Sequence, residues 1–326
     1  MTSPSSLAQP SAERLRVGVI GVGYLGRIHA KIYAAMPEVE LVGVVDVDEK
    51  VAREIAAVHG CAAYTAPDAL IGKVDAVSIV TPTVFHAGVA KPYLEAGVHM
   101  LMEKPIAPSY DESQSVVALA ARKNVIFQVG HLERFNAGVL ALAERVHDPR
   151  FLEVHRIGPF VARATDVDVV TDLMIHDIDI VLALVNSEVR QVQAIGIPVL
   201  TEHVDIVNAR IEFENGAVAN VTASRVSTKK LRRIRIFGDH HYYGLDYAEQ
   251  KLELAHAIPD EAGGDWPKVI TEVVPITPRP PLDTELEHFV RSVRTGTPPV
   301  VDGQVGLRAQ RVAQYVKEAV AACSQK

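Results

Sequence analysis

Residues 15–26 read Leu-Arg-Val-Gly-Val-Ile-Gly-Val-Gly-Tyr-Leu-Gly, and Asp46 follows 20 positions after Gly26. A short apolar run of strand type ends in Gly21-x-Gly23-x-x-Gly26, and a helical pattern opens behind it. Gly21 permits a tight turn, Gly23 lets backbone approach a pyrophosphate, and Gly26 lets helix and strand pack closely. The helix N-terminus offers unbonded N–H groups and a positive dipole end to phosphates. The glycine pattern alone also fits a structural βα turn. The strand before it, the helix after it and the acid at the right spacing favour a dinucleotide site, in which Tyr24 and Leu25 belong to the phosphate loop.

Asp46 closes a second apolar run, Val39 to Val45. A carboxylate there accepts hydrogen bonds from the adenosine ribose hydroxyls and repels a 2′-phosphate, and Val47 follows it rather than an arginine. The expected cofactor is NAD, with NADP disfavoured. Lys50 and Arg53 lie near enough to soften that preference.

From Leu15 to Val129 strand and helix signals alternate. Strands are expected at Arg16–Ile20, Leu41–Val45, Ala76–Val80, His99–Met102 and Val125–Val129. Helices are expected at Tyr24–Ala35, Lys50–Val58, Ala87–Ala96 and Asp111–Arg122. Buried β-branched runs between helices imply a doubly wound parallel sheet, an α/β nucleotide-binding domain over residues 15–130.

After Gly130 the order changes. Helices are expected near Ala137–Val146 and Val170–Leu184, with a strand near Phe151–Ile157. Strand signals then run consecutively, with Val204–Phe213 and Ala217–Val226 flanking the hairpin signal Asn215-Gly216 and Leu231–Phe237 following. Residues 131–326 therefore read as an α+β domain with an open, largely antiparallel sheet, serving substrate binding and oligomerisation. Helices near Leu286–Arg294 and Gly306–Ala322 close it, after a loop marked by Pro278, Pro280 and Pro281.

At 326 residues the chain has room for two domains. The first 14 residues, rich in Ser, Pro and Ala, read as a flexible tail rather than a signal peptide. A formal charge of −7 argues against a general nucleic-acid or membrane-surface binder. No apolar run approaches the roughly 18 to 20 residues that span a bilayer. Cys61 and Cys323 lie far apart without metal spacing, which suits a reducing, cytoplasmic setting.

Two constellations carry chemistry. Glu103-Lys104-Pro105 follows the expected strand His99–Met102, at the carboxyl end where ligands of open α/β sheets bind. Pro105 restricts Lys104 to extended conformations, and a cis Lys–Pro bond would set the direction of the ammonium group. A solvated loop lysine is the plain alternative. Downstream, Asp172 and His176 stand at i and i+4 on an expected helix, so a carboxylate could orient an imidazole suited to moving a proton. A surface ion pair or a metal site are the alternatives, the latter weak because no second cluster has ligand spacing. Asp177 and Asp179 read as solvent or cap residues.

Lys229, Lys230, Arg232, Arg233 and Arg235 form a basic run in which Ile234 and Ile236 alternate with Arg233 and Arg235. A solvated or subunit-facing surface and a contact with a diphosphate substrate both fit it. Arg156 and Arg163, around Gly158-Pro159-Phe160, are candidate phosphate or sugar contacts.

Together these markers resemble the glucose-fructose oxidoreductase and inositol dehydrogenase (Gfo/Idh/MocA) family. They are Gly21-Val-Gly-Tyr-Leu-Gly26, Thr81-Pro82 with His86, Glu103-Lys104-Pro105 and Asp172…His176. The resemblance implies a Rossmann domain, a second domain with an open-faced sheet, and NAD(P)-dependent oxidation or reduction of a sugar or cyclitol. It places Lys104, Asp172 and His176 in the catalytic positions. Thr81, Pro82, His86, Glu103 and Lys104 fall on positions that line the cofactor. A homodimer or homotetramer is implied as well.

The helix entry departs from the family's Gly-rich stretch, reading Thr165-Asp-Val-Asp-Val-Val-Thr-Asp172. With Gly130-His-Leu-Glu-Arg-Phe-Asn136 and Arg156-Ile-Gly-Pro-Phe160, this resembles a narrower branch, the UDP-N-acetylglucosamine 3-dehydrogenases of lipid A precursor synthesis. That branch implies a sugar-nucleotide substrate, with His131, Arg134, Arg156 and Arg163 as candidate contacts. A free-sugar or inositol dehydrogenase and a non-catalytic dinucleotide sensor are the competing expectations.

Overall fold

The computed structural model describes residues 13–161, 167–258 and 266–324. All but the end of the expected N-terminal tail, and Arg163 with it, lies outside the described residues. Packing sorts the chain into two compact units, neither contiguous. One comprises the chain up to Glu103 with Ala118–Phe127 and Leu286–Pro299. The other comprises Lys104–Val117, Gln128–Glu285 and the chain from Val300 on.

The first sheet has six strands: β1 (Leu15–Ile20), β2 (Val39–Val45), β3 (Ala62–Tyr64), β4 (Ala76–Ile79), β5 (His99–Glu103) and β6 (Phe127–Gly130). Its order is β3-β2-β1-β4-β5-β6, the parallel arrangement expected, with short β3 as an addition at the edge. Helices α1 (Gly26–Ala35), α2 (Glu49–His59), α3 (His86–Glu95) and α4 (Tyr110–Arg122) supply the crossovers. The central strands are buried, with Val17, Val19, Val44, Val77, Ile79 and Leu101 inaccessible, because both faces are covered, while the edge strand β3 is only half-buried. Local signals set the helix ends. Asp48 caps α2 by accepting from the Lys50 and Val51 N–H groups at 2.9 and 3.3 Å. The sheet order reverses direction between β1 and β4, and a doubly wound sheet binds ligands outside the carboxyl ends at that point.

The second sheet has eight strands: β7 (Phe151–Ile157), β8 (Val189–Ile197), β9 (Ile206–Phe213), β10 (Val218–Ser224), β11 (Leu231–Gly238), β12 (His241–Asp246), β13 (Lys251–Ile258) and β14 (Lys268–Val274). Its order is β14-β13-β12-β11-β7-β10-β9-β8. Neighbours are antiparallel except β7 and β10, which run parallel, so the sheet is mixed and mostly antiparallel. The β9–β10 hairpin forms at the expected Asn215-Gly216, where Gly216 takes φ +86° and Asn215 Oδ1 accepts the Ala217 N–H at 3.1 Å.

Helix α5 (Ala137–Ala143) precedes β7. A π-helical turn (Val170–Met174) leads into α6 (Ile175–Val185), and α7 (Pro281–Thr295) and α8 (Gly303–Ser324) follow the sheet. Ile178, Val181 and Leu182 of α6 and Val312, Val316 and Val320 of α8 form one core with Val154, Ala209, Ile211, Ala219, Val221, Ile234 and Ile236 of the sheet. Two expectations need correction. Pro281 opens α7 rather than ending the loop before it, because a first-turn proline needs no N–H and brings a helical φ. Residues 170–174 form a wide π turn rather than the start of a continuous α-helix. Among the described residues, no helix is long and apolar enough to cross a membrane.

Candidate active site

At the carboxyl edge of the first sheet, Gly21 follows β1 with φ +85°, and a Cβ on it would sit 2.8 Å from the Val80 carbonyl oxygen. A Cβ on Gly26 would lie 1.8 Å from the Gly21 carbonyl oxygen, so the loop closes on α1 only with glycine at both ends. Gly23 meets nothing within 4 Å, which leaves its backbone uncovered. Leu25 precedes α1 without a side-chain cap, and the first turn carries no acid, so the positive end of the helix is not neutralised from within its own first turn.

Asp46 continues from β2 and ties this loop together. Its carboxylate accepts from the Val22 N–H at 2.9 Å and the Asp48 N–H at 3.0 Å. Arg53 pairs with Glu49 on its own helix. Beyond β4, the His86 Nε2 lies 2.8 Å from the Thr81 carbonyl oxygen, while the buried Thr81 hydroxyl has no hydrogen-bond partner among the described residues. Pro82 next to it is exposed. Glu103 ends β5 with its carboxylate 3.4 Å from the buried imidazole of His29, a pairing across 74 residues that no local pattern announces. The orphaned Thr81 hydroxyl, the bare Gly23 loop and the uncapped helix fit a dinucleotide.

Lys104 opens the second unit, and its bond to Pro105 is cis. Its ammonium donates to the Asp172 carbonyl oxygen at 2.8 Å and stands 4.0 Å from the Asp172 carboxylate. Asp172 belongs to the π turn, a wide helical form that recurs at functional sites. The expected support of His176 by Asp172 is not made, because the wide turn gives Asp172 to Lys104. His176 instead meets His131 edge-on, with ring centroids 6.3 Å apart, and its buried Nδ1 has no hydrogen-bond partner among the described residues. Burial lowers the His176 pKa well below the ordinary imidazole value, and the charges of Lys104, Arg156, His131 and Arg232 lower it further. The imidazole is neutral at neutral pH.

Under this cluster lies a buried ionic framework. The Arg156 guanidinium donates to both Asp177 oxygens at 2.8 and 2.9 Å and to Glu133 at 2.8 Å. Burial alone would lower the Arg156 pKa, but the two carboxylates hold it well above the usual arginine value. Arg156 thus fills its role inside the wall rather than as an extended ligand contact. Asp177 and Asp179 are not solvent or cap residues, being 0% and 2% exposed, because they lie in the buried stretch Asp177–Leu182 of α6 and pair with Arg156 and Arg134. Asp179 pairs with Arg134 at 3.3 Å, and burial pushes its carboxyl up to about 7 against the pull of that arginine. Arg134 lines a separate pocket with Asp179, Asn186 and Arg308, away from Lys104 and Asp172.

A pocket of about 300 Å³ opens beside Asp172. Leu173, Arg156, Arg225, Lys230 and Arg232 also line it. Arg225, which the sequence reading passed over, bonds Asp205 at 2.7 Å and the Val167 carbonyl oxygen at 2.9 Å, fixing the backbone just ahead of the π turn. The basic run divides as its alternation predicts. Ile234 and Ile236 are buried, while Arg235 pairs with Glu153 and Arg233 donates to the Tyr242 hydroxyl on the opposite face. Arg232 shares the inner face with the isoleucines and ends at the pocket.

Comparison with known proteins agrees with this architecture. The profile of the oxidoreductase family with an NAD-binding Rossmann fold matches residues 15–131, and that of the GFO/IDH/MocA C-terminal domain matches residues 143–243. The chain is 39% identical over 313 residues to the UDP-N-acetylglucosamine 3-dehydrogenase of Acidithiobacillus ferrooxidans, covering 96% of this chain and 99% of that one. It is 27% identical to the myo-inositol 2-dehydrogenase of Thermotoga maritima, over 94% and 96% of the two chains. The solved structure of the Acidithiobacillus enzyme superposes with a TM-score of 0.90 at 38% identity, covering 97% of this chain and all of that one. With two matched domains and a relative spanning nearly its full length, the chain belongs to the GFO/IDH/MocA family of NAD(P)-dependent dehydrogenases acting on CH–OH groups.

Proposed function

We propose that this protein oxidises a secondary hydroxyl of a sugar nucleotide with NAD, converting UDP-N-acetylglucosamine to its 3-keto form. The observation that carries this reading is Lys104 anchored on Asp172 beside a neutral His176, at a pocket lined by Lys230 and Arg232. The 39% identity to a UDP-N-acetylglucosamine 3-dehydrogenase supports the substrate.

Bound NAD supplies the acceptor for hydride leaving the carbinol carbon. Residues 15–130 hold it, through Gly21, Gly23, Tyr24, Leu25, Gly26, Thr81, Pro82, His86 and Glu103, and Asp46 selects it over NADP by repelling a 2′-phosphate. Residues 131–326 with Lys104 act on the alcohol. His176 accepts the hydroxyl proton, as its neutral state permits. Lys104 donates a hydrogen bond to the reacting oxygen, placing positive charge where alkoxide character develops. Asp172 steadies the ammonium, and His131 fixes the imidazole plane from the side. The ketone formed is the electrophile that an aminotransferase needs, which accords with a role in lipid A precursor synthesis. A cytoplasmic homodimer or homotetramer completes the proposal.

The test is NADH absorbance on adding UDP-N-acetylglucosamine, free hexoses and inositols in parallel. Turnover with the sugar nucleotide at least tenfold above the others is expected. Preference for a free sugar or inositol overturns the substrate. Tight NAD binding without turnover on any of them overturns the enzyme assignment of this site.

A further inference from the structure

We infer that Lys230 and Arg232 grip the diphosphate of the substrate, so that the start of β11 makes the enzyme select a nucleotide-linked sugar over the free one. This rests on the sugar-nucleotide reading above and names the residues that would enforce it. In the sheet register Arg232 of β11 stands directly across from Arg156 of β7. Like charges facing each other across a strand pair repel. Glu133 separates them, 2.8 Å from the Arg156 guanidinium and 3.9 Å from that of Arg232.

The charges lining the pocket then sort by partner. Asp172 stands against Lys104, which lies outside the lining, Arg156 is held by Asp177, and Arg225 is held by Asp205. Lys230 and Arg232 line the same pocket, with Glu133 standing 3.9 Å from the Arg232 guanidinium and 2.8 Å from that of Arg156. Among the described residues the lining thus carries four cationic side chains, Arg156, Arg225, Lys230 and Arg232, and one carboxylate, Asp172. Lys230 is exposed and makes no ion pair among the described residues. An ammonium two residues from a guanidinium suits the two phosphoryl groups of a diphosphate, with the planar fork of Arg232 matched to phosphate oxygens. Placement on the inner face separates Arg232 from Arg233 and Arg235, whose partners lie on the outer face, and Lys230 lines the same pocket just ahead of the strand.

The experiment is calorimetric titration of UDP into the full chain and into Lys230→Gln, Arg232→Gln and Arg233→Gln, with NAD binding and UDP-N-acetylglucosamine kinetics measured on each. Loss of either pocket cation is expected to weaken UDP binding about tenfold or more, the gain of one charge-assisted contact. It should raise KM more than it lowers kcat, and added salt should shrink the difference. Arg233→Gln should match the unmodified protein. UDP binding unchanged in both pocket variants overturns the inference while leaving the substrate assignment intact, provided UDP-N-acetylglucosamine still turns over. An equal loss in Arg233→Gln also overturns it, since overall charge would then be the cause. Failure of the unmodified protein to bind UDP, with turnover of free sugars, removes the sugar-nucleotide reading and the inference together. Should Arg232→Gln not fold, the exposed Lys230→Gln decides the matter alone.

Discussion

Asp177 and Asp179 lie two residues apart on α6, both buried and both facing an arginine, yet their loss should have opposite consequences. Asp177 accepts two hydrogen bonds from Arg156 at 2.8 and 2.9 Å. In Asp177→Asn one acceptor becomes an N–H group pointed at a guanidinium that is 4% exposed. Breaking one partner of a buried pair costs about 3–5 kcal/mol, and Glu133, still bonded to Arg156, puts this case near 3. For a folding unit of this size about 2–4 °C is lost per kcal/mol, so the melting temperature should fall by about 6–12 °C.

Asp179 has one contact, at 3.3 Å, and its other oxygen has no hydrogen-bond partner among the described residues. Its folded pKa, about 7, lies above the ordinary carboxylate value. The destabilisation from ionising it in place is absent at low pH. It grows as pH rises from about 4 to about 7 and is constant above. Asparagine avoids that penalty, so Asp179→Asn should be within about 1 kcal/mol of the parent or more stable at pH 8. Its advantage should shrink as pH falls toward 5. Scanning calorimetry of both variants at pH 5, 6.5 and 8 is the assay. Equal losses at the two positions, or a near-neutral Asp177→Asn, would refute the reasoning from hydrogen-bond geometry.

Lys104→Met and His176→Asn should each cut kcat by about 100- to 10,000-fold while NAD affinity, measured by fluorescence titration, stays within twofold. In the parent, kcat/KM should show no loss at pH 6.5 from protonation of His176, since burial keeps its pKa well below that value; an acid limb at 6.5 that His176→Asn abolishes would contradict this. Asp46→Ser with Val47→Arg should move the cofactor preference toward NADP, read as the ratio of kcat/KM for the two dinucleotides. Gly26→Ala, whose Cβ would lie 1.8 Å from a carbonyl oxygen, should abolish measurable NAD binding, because the loop must open to admit the methyl group.

The nucleotide edge was legible because each of its residues answers a local backbone demand. Gly21 and Gly26 are required by contacts under 3 Å, and Asp48 caps the helix it precedes. The Asn215-Gly216 hairpin was legible for the same reason. Helix α7 begins a turn earlier than its apolar pattern suggests because Pro281, which reads as a loop residue, is the helix's first residue. Strand β8 gives little sequence signal because its alternation is weak, exposed residues such as Ile195 and Ile197 blurring the pattern. The ionic framework was hidden for a different reason. Glu133, Arg156 and Asp177 are each separated by more than 20 residues, and Arg156 meets Asp177 only because β7 lies under α6. A charged residue in an apolar helix is a signal that such a partner exists, as Asp177 and Asp179 among Ile175, Ile178 and Ile180 illustrate. It does not say where in the chain the partner lies.

The π turn shows how a small departure from regular geometry changes the chemistry. Spacing of four residues puts Asp172 and His176 on one face of a continuous α-helix, where the carboxylate would hold the imidazole protonated. The wide turn ends at Met174, between them, and Asp172 takes Lys104 as its partner instead. His176 is then left among Lys104, Arg156, His131 and Arg232, surroundings that disfavour its charged form. A carboxylate partner would instead have raised the imidazole pKa. In the proposed mechanism this imidazole starts as a base, and the lysine beside it keeps the opposite role because the same aspartate stands by its ammonium. The proposed division of labour between proton acceptor and hydrogen-bond donor therefore follows from which of two neighbours Asp172 faces, and in this structure the residue it faces across the wide turn is Lys104.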